Sequence, residues 1–94
     1  MRTRHTAVFL DWLDSVDDVV TRARIQFRFD RLAHGNPGTH RRLPGGISEL
    51  KLDFGPGYRV YYTERKGELV MLCGGDKSSQ QRDIQTAFAL VRRV

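Results

Sequence analysis

Residues 46–75 read GISELKLDFGPGYRVYYTERKGELVMLCGG, and their spacing decides the fold. From 47 to 54 the chain alternates, with Leu50, Leu52 and Phe54 on one face and Glu49, Lys51 and Asp53 on the other. That is the period of a half-buried strand. Gly55-Pro56-Gly57 supplies the turn of a hairpin. Strand 58–64 then sets Tyr58, Val60 and Tyr62 against Arg59, Tyr61 and Thr63. A second turn at Lys66-Gly67 leads into Leu69–Cys73, apolar on both faces and so expected to be a central, covered strand. Gly74-Gly75 ends it.

Outward from this sheet the period changes to 3.6. Towards the C-terminus, Ser78 and Gln81 fit a capping box, and Ile84, Ala87, Phe88 and Val91 recur at i, i+3, i+4 and i+7, which predicts a docked helix. Towards the N-terminus, residues 35–46 (GNPGTHRRLPGG) read as a loop rich in Gly and Pro. The spacing before it predicts a helix from about 17 to 34, with Ile25, Phe29 and Leu32 as its apolar stripe. Arg24, Arg28 and Arg31 lie off that stripe, as do Val20 and Phe27. The simplest expectation for Phe27 is packing beneath the preceding helix. That helix is capped by Thr6 and carries Phe9, Trp12 and Leu13 on one face. Residues 2–5 carry a weak strand signal. The expected architecture is a single α+β domain spanning 1–94: a small antiparallel sheet of three to four strands, two N-terminal helices packed on it and a C-terminal helix.

The chain has 94 residues, 39 % hydrophobic and 29 % charged, with 16 Lys+Arg against 11 Asp+Glu and a formal net charge of +5. Thirteen of the cations are arginine, whose planar fork matches phosphate and carboxylate oxygens. Such a surface favours polyanionic partners. There is no run of about 18 apolar residues to span a bilayer, and no membrane partner is expected. Residues 1–5 lead into no continuous apolar segment of the secretory kind. A single cysteine, Cys73, excludes an intramolecular disulfide. A reducing cytoplasm is the expected compartment.

Little points to familiar catalytic chemistry. No paired carboxylates and no phosphate-binding glycine loop occur, and His5, His34 and His40 lack metal-ligand spacing. No metal or cofactor is expected. Cys73 sits in the most apolar strand and reads as core. What remains is cationic. Alternation puts Lys51 and Arg59 on one face of the hairpin with Tyr61 beside them, and Lys77 falls at the start of the last helix, where backbone N–H groups favour an anion. Arg41 and Arg42 add charge from the loop. This set suits a phosphodiester, with Arg59 and Lys77 facing charge on phosphorus and Tyr61 stacking on a base. The plainer reading is a solvated face in which Glu49 and Asp53 pair the cations.

The strings FLDWL at 9–13, GISELKLDFGPGYRVYY at 46–62 and GGDKSSQQRDI at 74–84 resemble the RelE/ParE superfamily of type II toxins. The nearest branch is the HigB-like, phage Gp49-related addiction module killer group. The resemblance runs in order over nearly the whole chain. It implies the microbial RNase-like toxin fold, mRNA cleavage on the ribosome without a cofactor, and neutralisation by an antitoxin. That partner is usually a helix-turn-helix protein, through which alone the toxin meets operator DNA. Arg59 matches the arginine that contacts the scissile phosphate in RelE-type members, and Lys51 matches a strand lysine involved in taking the 2′-hydroxyl proton. Lys77 falls where those members hold a second phosphate-stabilising arginine. The C-terminal tyrosine that stacks on a base in some members is replaced by Asp83. ParE-type relatives share the fold and block DNA gyrase by binding, so the fold leaves that alternative open. The exposed side of the 17–34 helix is a candidate antitoxin contact.

Overall fold

The computed structural model describes residues 1–94. In chain order it forms β1 (Arg2–His5), α1 (Ala7–Ser15), α2 (Val19–Ala33), β2 (His40–Leu43), β3 (Ile47–Lys51), β4 (Arg59–Arg65), β5 (Glu68–Gly75) and α3 (Gln80–Val91). The α+β class stands, but the sheet differs from the expected one. It has five strands in the order β1-β5-β4-β3-β2 and is mixed, because β1 runs parallel to β5 while the remaining pairs are antiparallel.

Each difference has a local cause. β2 lies inside the segment read as a loop; its four residues, HRRL, carry no alternation and are recruited by pairing with β3, His40 opposite Leu50 through Leu43 opposite Ile47. β1 is likewise exposed along its whole length and exists because β5 offers a free edge. Both edge strands are short and cationic, a composition that discourages further pairing.

The helices cover both faces. α1 and α2 bring Phe9, Leu13, Ile25, Phe29 and Leu32 onto Leu50, Leu52, Val60, Tyr62, Leu69 and Met71. α3 brings Ala87 and Val91 onto Ile47, Tyr61, Val70, Leu72 and Cys73. The strict alternation of β4 between these two clusters is why its tyrosines part company. β5 feeds both layers, and a register shift opposite Tyr61/Tyr62 lets Leu72 and Cys73 both join the α3 side, as a β-bulge does.

The caps follow the sequence at the first helix and depart from it at the last. Thr6 Oγ1 accepts from Phe9 N at 3.0 Å and donates to Leu72 O at 2.6 Å, so one hydroxyl caps α1 and ties it to β5. The expected Ser78/Gln81 box is replaced by a reciprocal pair two residues earlier. Asp76 accepts from Ser78 N at 2.8 Å and Ser79 Oγ accepts from Asp76 N at 3.2 Å. They cap a single 3₁₀ turn, Lys77–Ser79, that opens α3. The aspartate wins because it can accept from the free N–H groups at a helix start while its negative charge faces the positive end of the dipole. Phe27 does not pack beneath α1; it is 61 % exposed, because Ile25 and Phe29, on the opposite side of α2, make the contacts with the core.

Candidate functional site

Three of the residues marked out in the sequence meet at one end of the sheet. Lys51 lies directly opposite Arg59, and Arg59 opposite Gly75, across the three central strands. Two residues beyond Gly75 the chain reaches Lys77, whose backbone N–H donates to Pro56 O at 3.4 Å. The β3–β4 turn is thereby pinned to the start of α3. Gly57 sits at the junction with φ +77°, and a Cβ added there would lie 3.2 Å from Arg59 Nη1 and 3.3 Å from Lys77 Cβ. Both the positive φ and the crowding require glycine. Arg59 Nη1 donates to Gly57 O at 2.8 Å. Lys51 and Lys77 are exposed, whereas Arg59 is only 8 % exposed and its Nε has no hydrogen-bond partner.

Beneath the cations lies an acid. Glu49, 4 % exposed, accepts from Arg41 Nε at 2.8 Å and from Gln80 Nε2 at 2.9 Å. Its Oε2 stands 4.0 Å from Arg59 Nε. Burial pushes the Glu49 carboxyl upward, but the hydrogen bonds from Arg41 and Gln80, with the charge of Arg41, outweigh it and hold the group below its ordinary value. The carboxylate therefore stays charged and restrains the ε edge of Arg59. Sequence reasoning noticed Glu49 only as a surface partner. Its burial is set by Gln80 and Tyr61, which the fold brings over it. Asp53, the other acid expected to pair the cations, remains exposed.

Two residues expected to touch RNA are placed elsewhere. Tyr61 is fully buried under α3 and offers no ring to a base. Its hydroxyl is pushed well above the usual phenol range by burial and by the charge of Glu49. Arg42 pairs with Ser48 on the other face of the sheet, where it lines a cavity with Tyr62 and Ser48. Alternation explains the split, since Arg41, one residue earlier, faces Glu49. Asp83, at the position where the resemblance lacks a tyrosine, is also inward; it accepts from Ser79 Oγ and closes over Gly75.

The arrangement is a cationic rim of Lys51, Arg59 and Lys77, backed by one ionised acid and bordered by Arg41. It exposes Lys51 and Lys77, while Arg59 lies largely covered at its base. It contains no thiolate, because Cys73 is buried and its thiol is pushed up to about 12, chiefly by burial and then by Asp83. No three His, Cys, Asp or Glu side chains are grouped as a metal site.

No family model matches the sequence. The chain is 40 % identical over 95 residues to an uncharacterized protein of Haemophilus influenzae, an alignment covering 100 % of this chain and 96 % of that protein. The two belong to one family. Identity at this level over the full alignment means that both chains share the same domain.

Proposed function

We propose that this protein is the toxin of a type II toxin–antitoxin pair of the RelE/ParE kind, a metal-independent mRNA endoribonuclease that acts on ribosome-bound message in the cytoplasm. The observation that carries the reading is the placement of Lys51 opposite Arg59 on the hairpin, with Arg59 and Lys77 both against Gly57. A phosphodiester placed there meets three cations from two strands and a helix start. In the proposed step the 2′-oxygen bonds to the adjacent phosphorus, the bond to the 5′-oxygen breaks, and a cyclic phosphate remains. A water molecule takes the 2′-hydroxyl proton, the Lys51 ammonium steadies the negative charge that forms on that oxygen, and the departing 5′-oxygen takes a proton from water. Arg59, already fixed by Gly57 O and Glu49, faces the charge on phosphorus without having to reorganise, the condition under which such a donor is most effective. An antitoxin of the helix-turn-helix type is the expected neutralising partner.

A second reading, binding and inhibition of DNA gyrase without nuclease activity, draws support from the burial of Arg59, which leaves little of it to touch a substrate. Induction followed by primer-extension mapping of RNA 5′ ends separates the two. The ribonuclease reading expects new ends within translated codons, lost in Arg59→Ala. It also expects a loss of about 10²–10³ in rate for Lys77→Ala, the usual cost of one such donor. Lys77 is exposed, so that variant keeps its fold. DNA breaks and an SOS response with intact transcripts would establish gyrase inhibition instead.

A further inference from the structure

Between the end of α2 and strands β2–β4 lies a cavity of 690 Å³ that the proposed RNA chemistry does not use. Its floor is a row across three strands, with Arg42 opposite Ser48 and Ser48 opposite Tyr62. Glu64 lies two residues further along β4, so alternation returns it to the same face. Buried Leu32 of α2 and Leu69 of β5 form apolar walls.

Two opposite charges stand free at this cavity. Arg42 and Glu64 are exposed and belong to no ion pair of the molecule. The other polar groups on the rim are engaged: the Met1 ammonium donates to Ala33 O at 3.4 Å, and His40 Nδ1 meets Gly38 O at 3.0 Å. The Tyr62 hydroxyl is held above the usual phenol value chiefly by burial. It also feels Glu64, which raises it, and Arg42, which lowers it, so both charges reach the same point of the floor. One cation, one acid and the hydroxyls of Ser48 and Tyr62 between them are left for a ligand.

Their spacing sets its length. Two strand separations of about 4.8 Å and two residues of about 3.3 Å put the Cα atoms of Arg42 and Glu64 about 12 Å apart. Side chains stand nearly perpendicular to a sheet. A hydrogen bond of about 2.9 Å at each end then leaves about 6 Å between the ligand's own charges. Two extended residues span about 7 Å, whereas one spans about 3.5 Å and three about 10 Å.

We infer that this cavity binds free dipeptides. The terminal carboxylate would meet the fork of Arg42 and the ammonium would meet Glu64. The peptide C=O and N–H would pair with the hydroxyls of Ser48 and Tyr62, which both donate and accept. An apolar side chain would lie against Leu32 and Leu69. A mononucleotide has an anion for Arg42 but no cation for Glu64. Tyr62 belongs to the sheet face opposite Tyr61 and Arg59, so the inference does not depend on the ribonuclease reading.

The test titrates the dipeptide Ala-Leu into the full chain, followed by amide chemical shifts and thermal melts. Each comparison ligand lacks one feature: N-acetyl-Ala-Leu the ammonium, Ala-Leu amide the carboxylate, leucine the length, and δ-aminovalerate the peptide bond. Saturable binding of Ala-Leu is expected, at least tenfold tighter than the first three, the usual effect of losing a charged hydrogen bond, and several-fold tighter than δ-aminovalerate. Shifts should fall at residues 42, 48, 62 and 64, and Tm should rise with the ligand. Arg42→Ala and Glu64→Gln should each weaken binding at least tenfold. Both positions are exposed, and circular dichroism checks that the fold is kept. Arg42→Glu combined with Glu64→Arg should restore binding, with the dipeptide reversed. Equal binding of N-acetyl-Ala-Leu, tighter binding of adenosine monophosphate, or shifts that do not saturate would overturn the proposal. So would shifts confined to Lys51, Arg59 and Lys77.

Discussion

Replacing Glu49 by alanine should unsettle the cationic rim from below, and its cost can be worked from the contacts. The bond from Arg41 is short, 2.8 Å, but that arginine's side chain is 56 % exposed, so water screens the pair to about 0.5–1 kcal/mol. The bond from Gln80 to a buried carboxylate adds about 1.5–3 kcal/mol. Arg59, whose side chain is 9 % exposed, would lose its one acidic neighbour. Stranding a buried charge costs about 3–5 kcal/mol for a tight pair and less at this 4.0 Å separation. Removing the buried carboxylate also relieves its own burial cost, which offsets the loss at Arg59 and leaves a total of about 3 kcal/mol from the two hydrogen bonds. A domain of this size is stable by about 5–14 kcal/mol, so the variant should fold, with Tm lowered by about 12–24 °C at the 4–8 °C per kcal/mol usual for small domains. Urea and thermal melts followed by circular dichroism measure this, with Glu64→Ala, an exposed acid on β4, expected within about 0.5 kcal/mol of the parent. The pH dependence adds a second check. Because the folded carboxyl lies below its ordinary value of 4.5, the unfolded chain takes up the proton first as pH falls. The contribution of Glu49 is therefore complete above pH 4.5 and disappears as pH drops through the depressed folded value. The difference between parent and variant should be flat from about pH 6 to 8 and shrink below the unfolded value. A loss under about 1 kcal/mol, or a difference independent of pH down to acid unfolding, would refute the role given to this buried acid.

Tyr61→Phe removes a buried hydroxyl that lacks a partner of full hydrogen-bond geometry; stability within about 1 kcal/mol of the parent and unchanged RNA cleavage are expected, and a selective loss of cleavage would restore the residue to the substrate site. Gly74→Ala drives a Cβ into the Trp12 ring and should destabilise by about 1–3 kcal/mol, read as a lower urea midpoint with an unchanged slope. Cys73, with its thiol pushed up to about 12, should resist iodoacetamide at pH 8 in the native state and react promptly in urea, since alkylation requires an exposed thiolate; rapid native labelling would place it nearer the surface.

The central sheet was legible because β3 and β4 alternate strictly and the Gly-Pro-Gly turn fixes their register, so Lys51 and Arg59 could be assigned to one face without coordinates. β1 showed only as the weak signal at residues 2–5 and β2 not at all, because their residues have little pattern of their own and become strands by hydrogen bonding to β5 and β3. The same division runs through the site. That Lys51, Arg59 and Tyr61 share a face was readable from period 2, but period 2 says nothing of what lies over that face. α3 arrives from the far end of the chain and covers Tyr61, leaving the rim to the lysines.

The amino-acid order alone determined the α+β class, the hairpin and its facing, the Thr6 cap and the core role of Cys73, all set by residues close together in the chain. Tertiary packing decided the fifth strand, the burial of Glu49 beneath Arg59, the parting of Arg41 from Arg42 and the exposure of Phe27. Each of these depends on which surface a distant segment occupies, and exposure and charge pairing are properties of that contact, not of the segment's own sequence.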